Sequence, residues 1–217
     1  MLIATLLTAV SLLLFLGNNV LGLGAGGWLK MTTSTGFLAM AIAAGAFQTP
    51  YGRMVLLALF FSWWGDLFLI SHQEKLFLMG LVAFFLGHAG FAGAFLVHGV
   101  DWKYTALSIG IGIVPVLFVI SWLNPHLGSM RIPVYAYMAI ITLMVALSIG
   151  AWGRGATLLL VAGAILFYCS DIFVARERFV TQTPWNRHLG LPLYYVAQML
   201  LATSILRIND TDTSPVS

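Results

Sequence analysis

Residues 156–175 read ATLLLVAGAILFYCSDIFVA, twenty positions with a single charged side chain, Asp171. As a helix, ~20 apolar residues cover the ~30 Å of a bilayer's hydrocarbon. The run is continuously apolar rather than alternating. It therefore reads as a membrane helix, which satisfies its backbone groups internally, and not as a barrel strand. The same reading extends outward in both directions and predicts spans at 2–21, 34–47, 53–70, 76–98, 104–123, 132–152, 156–175 and 189–207. The expected fold is all-α: a polytopic bundle of about eight helices in a single transmembrane domain over 1–208, followed by a short polar tail over 209–217.

Composition agrees with this reading. Of 217 residues, 60% are hydrophobic and only 8% charged, against about 25% charged in soluble domains. The first run lacks a basic leader and a small-x-small cleavage pattern, so it reads as a span rather than a signal peptide. The formal charge of +3 comes from ten Lys and Arg scattered between spans. They read as interfacial anchors, and no nucleic-acid partner is implied. The only cysteine, Cys169, excludes an intrachain disulfide and a Cys-built metal site. Gly22, Gly24, Gly26 and Gly27 follow no strand and read as an interfacial turn rather than a phosphate loop. Loops after odd-numbered spans hold Lys30, Lys75, Arg131, Arg176, Arg178 and Arg187, and the other side holds Arg53, Lys103, Arg154 and Arg207. That bias makes the first side the cytoplasmic one.

Five of the seven acidic residues fall in loops or the tail, which leaves Asp66 and Asp171 alone inside apolar spans. A carboxylate there costs ~2.5–3.5 kcal/mol on insertion scales, so function is the default reading. The flanking sequences echo each other. Phe61-Ser62-Trp63-Trp64-Gly65-Asp66-Leu67-Phe68-Leu69 and Leu166-Phe167-Tyr168-Cys169-Ser170-Asp171-Ile172-Phe173-Val174 both read aromatic, small, Asp, aliphatic, Phe, aliphatic, 105 residues apart. Two four-helix halves related by duplication would produce this, and so would chance likeness between apolar helices. Both spans run in the same direction with Asp four or five residues before the end, which predicts two carboxyls at one depth. Such a pair serves acid/base chemistry, one member giving a proton while the other activates water.

On the same side, Lys30, His72, Lys75, Arg176, Arg178, Arg187 and His188 offer positive charge to a phosphate, or act only as snorkelling anchors. His88 lies too deep in its span to snorkel, and Gln198 lies inside the last span. Each either orients an aspartate or bridges helices. A metal site from Asp66, His88, Asp171 and His188 is conceivable, but no H-x-x-x-H or H-E-x-x-H spacing is present. Trp63, Trp64, Phe68 and Tyr168 are candidate walls for an apolar substrate.

These residues carry a resemblance. The Phe61–Leu69 segment, Phe77-Leu78-Met79-Gly80-Leu81 with Phe84, Phe85 and Gly87-His88, Arg131-Ile132-Pro133-Val134 with Tyr137, Gly163 to Phe167 with Ser170-Asp171, and Tyr195 with Gln198 follow one another as in the YhhN family. The chain resembles those bacterial proteins and their animal relatives, the lysoplasmalogenases, over nearly its whole length. It departs from the family's pattern after Lys30, where Met31-Thr32-Thr33 stands in place of Pro and Leu. The resemblance implies hydrolysis of the vinyl ether of a lysophospholipid substrate, a lysoplasmalogen, to a fatty aldehyde and glycerophosphoethanolamine or glycerophosphocholine. On that reading Asp66 and Asp171 are catalytic, Lys30, His88, Tyr168, Arg178 and Gln198 bind substrate, and no cofactor or metal is used. The implied location is the bacterial inner (cytoplasmic) membrane. The two-carboxylate chemistry parallels that of glycosidases, whose transition state is also oxocarbenium-like. Rival readings are a proton-coupled transporter, a metal-dependent intramembrane lipid hydrolase, and a structural protein whose aspartates join helices.

Overall fold

The computed structural model describes residues 1–21, 26–71 and 73–212. The expectations placed on Gly22, Gly24, His72 and the end of the polar tail (213–217) lie outside the described residues. The described chain is helical: α1 (Leu2–Leu21), α2 (Gly26–Ala43), α3 (Pro50–Phe68), α4 (Glu74–His98), α5 (Trp102–Leu123), α6 (Arg131–Gly153), α7 (Leu158–Ala175) and α8 (Pro184–Asp212). Two short 3-10 turns join α5 to α6, and a π-helical turn, Arg176–Val180, prolongs α7.

Several starts follow from local chemistry. Thr49 caps α3 by accepting from the Gly52 N–H at 3.1 Å, with Pro50 at the first helical position. Asp101 caps α5 through the Lys103 N–H at 2.8 Å, and Thr157 caps α7. Such caps satisfy amides that have no partner inside the helix. Several expected boundaries move. α2 runs over Gly26–Ala43 rather than 34–47, α3 over Pro50–Phe68 rather than 53–70, which leaves Asp66 in its last turn, and α8 over Pro184–Asp212 rather than 189–207, so the start of the expected tail, 209–212, is helical. The hydropathy reading missed the first turns of α2 because Lys30, Thr32, Thr33, Ser34 and Thr35 make it look like a loop.

Among the described residues, six helices are long and apolar enough to cross a membrane: α1, α4, α5, α6, α7 and α8. α2 and α3 fall short of that measure, and they are the helices that carry Lys30, Ser34 and Asp66. Polar residues needed at the centre dilute their hydropathy. Lys30, moreover, is not a loop residue, so it drops out of the charge bias between the two sides.

The packing repeats with the halves. α3 lies most extensively on α4 and α7 on α8, while α1 lies on α2 and α5 on α6. Across the halves, α4 packs on α6 and α2 on α8. α1 and α5, the first helix of each half, are the most lipid-exposed, with Leu2, Ile3, Val114 and Phe118 on the outside. Burying apolar area drives little helix association in lipid, so the close pairs use small residues. A Cβ on Gly90 would stand 2.9 Å from that of Ala58 on α3, and one on Gly163 would stand 2.7 Å from Leu201 on α8.

Candidate active site

Asp66 is buried in the last turn of α3, at the negative end of the helix dipole, where a carboxylate is unfavourable. Lys30 from α2 answers both problems at once. Its Nζ lies 3.2 Å from Asp66 Oδ1 and donates at 2.9 Å to the Asp66 carbonyl, one of the terminal carbonyls without a helical partner. The hydroxyls of Ser34 and Tyr194 each donate to Oδ2 at 2.7 Å. Every group on this carboxylate is a donor, and one is a lysine ammonium, so these contacts favour its ionised form.

Asp171 on α7 has a different company. Tyr137 of α6 donates to its Oδ2 at 2.7 Å, and His88 Nε2 of α4 lies 3.1 Å from the same oxygen and 2.8 Å from the Tyr137 hydroxyl. His88 is fully buried, tilted over the Phe167 ring at 4.3 Å, with Nδ1 at 3.3 Å from the Met144 sulfur. A thioether only accepts, so the Met144 contact is a hydrogen bond when Nδ1 carries hydrogen, and Nε2 faces the two oxygens. No fixed cation faces Asp171 in these contacts, and its side chain is 15% exposed against 3% for Asp66.

The two carboxylates draw partners by one rule. Each takes one from the preceding even-numbered helix of its own half, Lys30 or Tyr137, and one from the last helix of the other half, Tyr194 or His88. The spacings nearly repeat: Lys30 and Tyr137 lie 36 and 34 residues before the carboxylate each holds, and His88 and Tyr194 lie 22 and 23 residues after the carboxylate of their own half while holding the other one. The sequence echo around Asp66 and Asp171 therefore extends to the side chains that hold them.

Both carboxylates line one cavity of about 370 Å³, together with Lys30, Tyr137, Tyr168 and Tyr194. The exposed Arg187 and the partly exposed Arg178 and Glu177 also line it and mark its mouth, while the lining Asn186 is buried. The π-helical turn presents Arg178 there, with its guanidinium 4.4 Å above the Phe77 ring. Arg187 lies 3.7 Å from Glu177. An apolar arm is walled by Val119, Leu123, Met138, Ile141 and Ile172.

Of the residues expected to contact substrate, Lys30, Tyr168 and Arg178 line the cavity and His88 stands behind Asp171. Gln198 is fully buried, does not line the cavity, and neither amide atom has a hydrogen-bond partner among the described residues. An unpaired buried amide costs stability. Gln198→Met is accordingly expected to raise the melting temperature in detergent and leave turnover unchanged; a fall in either would give Gln198 a working role.

Trp63, Trp64 and Phe68 do not form the expected wall. Trp64 and Phe68 lie two positions from Asp66 on either side, about 160° around the helix at 100° per residue. They stack outward instead, with ring centroids 5.6 Å apart, while Trp63 bonds to Thr35. Lys75 is exposed, and Arg176 is engaged by Thr183 and Asn186. His188 stands beside Trp185. No group of three His, Cys, Asp or Glu side chains converges among the described residues, so the four conceivable ligands do not come together.

Ser34, Tyr137 and Tyr194 were not singled out as site residues from sequence. A signal for two of them existed. Shifting by 105 residues carries Lys30 to Tyr135 and His88 to Leu193, within two positions of Tyr137 and Tyr194.

Residues 27–205 match the YhhN family. The chain belongs to the YhhN family. Among curated relatives it is 32% identical over 165 residues to cattle "Lysoplasmalogenase TMEM86A", covering 71% of this chain and 66% of that protein. It is 33% identical over 181 residues to the Mycobacterium bovis protein named "Lysoplasmalogenase", covering 77% of this chain and 66% of the relative. Against mouse "Lysoplasmalogenase TMEM86B" the identity is 36% over 129 residues, 58% of this chain and 55% of that protein. The matched region thus spans about two thirds of the first two relatives' length. No solved structure matches.

Proposed function

We propose that this YhhN-family membrane protein hydrolyses the vinyl ether of a lysoplasmalogen, releasing a fatty aldehyde and a glycerophospho head group. The observation that carries the reading is one cavity holding two carboxylates in opposite settings. Asp66 is held by a lysine, and Asp171 shares hydrogen bonds with a histidine and a tyrosine. Relatives named for this activity support it.

The arrangement matches the reaction's needs. In the acid's role, Asp171 protonates the β-carbon; the alkene π pair forms the new C–H bond and leaves an oxocarbenium ion. The Asp66 carboxylate opposes that cation and takes a proton from the water that attacks the α-carbon. In the resulting hemiacetal, Asp66 returns its proton to the ether oxygen as that C–O bond breaks. Asp171 recovers the hydroxyl proton as the aldehyde forms. Both carboxyls end as they began, and water is the only co-reactant. Arg178 and Arg187 at the mouth suit the phosphate of the head group, and a bacterial cytoplasmic membrane is the implied site of action.

The test is aldehyde release from a lysoplasmalogen by purified protein in detergent, without any gradient. Turnover unaffected by EDTA is the expected result. A protein inert in detergent that moves protons in sealed vesicles would establish the transporter reading instead, and activity abolished by EDTA and restored by metal would establish the metal-dependent one.

A further inference from the structure

A second cavity adjoins the apolar arm of the first. On α5, Ser108, Gly112, Pro115, Val116, Val119 and Leu123 fall within a wedge about 100° wide at 100° per residue. Val119 and Leu123 line the main cavity, and the other four line a second, smaller cavity of about 140 Å³. Tyr168 of α7 borders both. Thr142, Val145 and Ala146 of α6 continue below Met138 and Ile141 in the same way. The two cavities thus lie end to end along α5, α6 and α7, with Tyr168 lining both. From Leu123 to Ser108 this run extends ~22 Å at ~1.5 Å per residue, more than the ~15 Å of one leaflet, half of a ~30 Å hydrocarbon core.

Its surface suits a hydrocarbon. The lower stretch is almost wholly apolar, and the Ser108 hydroxyl is spent on the carbonyl of Thr105, 2.8 Å away. Gly112 keeps the floor low, and a Cβ added there would meet nothing within 4 Å.

We infer that the two cavities form one α5–α6–α7 trough, the binding site for the single unbranched hydrocarbon chain of a lysolipid, with Tyr168 dividing its proximal from its distal part. The inference rests on the proposed reaction for the identity of the substrate but not for the path of the chain. The polar end stays at Arg178 and Arg187, the first carbons lie beside Asp171 and Ile172, and the far methylenes pass Tyr168 to reach Gly112 and Ser108. Chain length is then read at a place remote from the chemistry.

Two experiments test it. Gly112→Phe fills the distal trough from a position with room for the new side chain. The KM for a hexadecenyl lysoplasmalogen should rise about tenfold, with kcat and the KM for an octenyl analogue unchanged. Equal effects on both substrates, or none on either, would overturn the inference. Independently of turnover, a hexadecyl-ether lysophospholipid bearing a terminal diazirine should crosslink within 108–116. Labelling confined to α1, α2 or the mouth would overturn the inference. Labelling at 108–116 in a protein that releases no aldehyde would uphold the trough and remove the proposed reaction.

Discussion

Asp171→Asn is expected to abolish aldehyde release, lowering kcat by ~10²–10⁴, the range over which a positioned general acid contributes. Asparagine has nearly the same shape and can still accept from Tyr137 at the position where Oδ2 now sits 2.7 Å from the phenol. The fold should therefore survive, and the loss can be assigned to the missing proton. The measurement is kcat and KM beside the melting temperature in the same detergent. A variant that folds and keeps more than a tenth of the rate would remove Asp171 as the acid. Tyr137→Phe, which takes away one donor but leaves the acid, should lose less.

The largest effect on stability is expected at Lys30. Its side chain is 12% exposed and that of Asp66 3%, so Lys30→Met leaves a buried carboxylate in a helix's last turn without its cation. Removing one partner of a buried pair costs ~3–5 kcal/mol, mostly from the stranded charge. The double variant Lys30→Met/Asp66→Asn strands no charge and should recover most of that loss while remaining inactive. Chemical denaturation in detergent of the two single variants and the double one decides the matter. If the double variant is as unstable as the sum of the singles, the ion pair is not what holds α2 to α3.

How far the site was legible from sequence differs residue by residue. Asp66 and Asp171 stood out because carboxylates are rare in apolar spans, a solvation argument that needs no coordinates. His88 stood out for the same reason. Lys30 was visible but misplaced: the hydroxyl-rich first turns of α2 lower its hydropathy, so the lysine read as a loop anchor. Ser34 and Tyr194 were not legible as partners of Asp66, because serine and tyrosine are ordinary in membrane helices and only packing aims them at a carboxylate. The aromatic wall was misread from neighbourhood in sequence, although helical periodicity already turned Trp64 and Phe68 away from Asp66.

The sequence by itself determined the all-helical class, the approximate spans and the two carboxylates, because each follows from how lipid treats apolar and charged groups one segment at a time; the family came from the order of its motifs. Tertiary structure alone decided which partner each carboxylate receives. α2 and α8 meet at Asp66, and α4 and α6 meet at Asp171, so one carboxylate faces a lysine and the other a buried histidine. That difference arises from contacts between helices distant along the chain, where direction and depth of side chains, not local composition, set the chemistry.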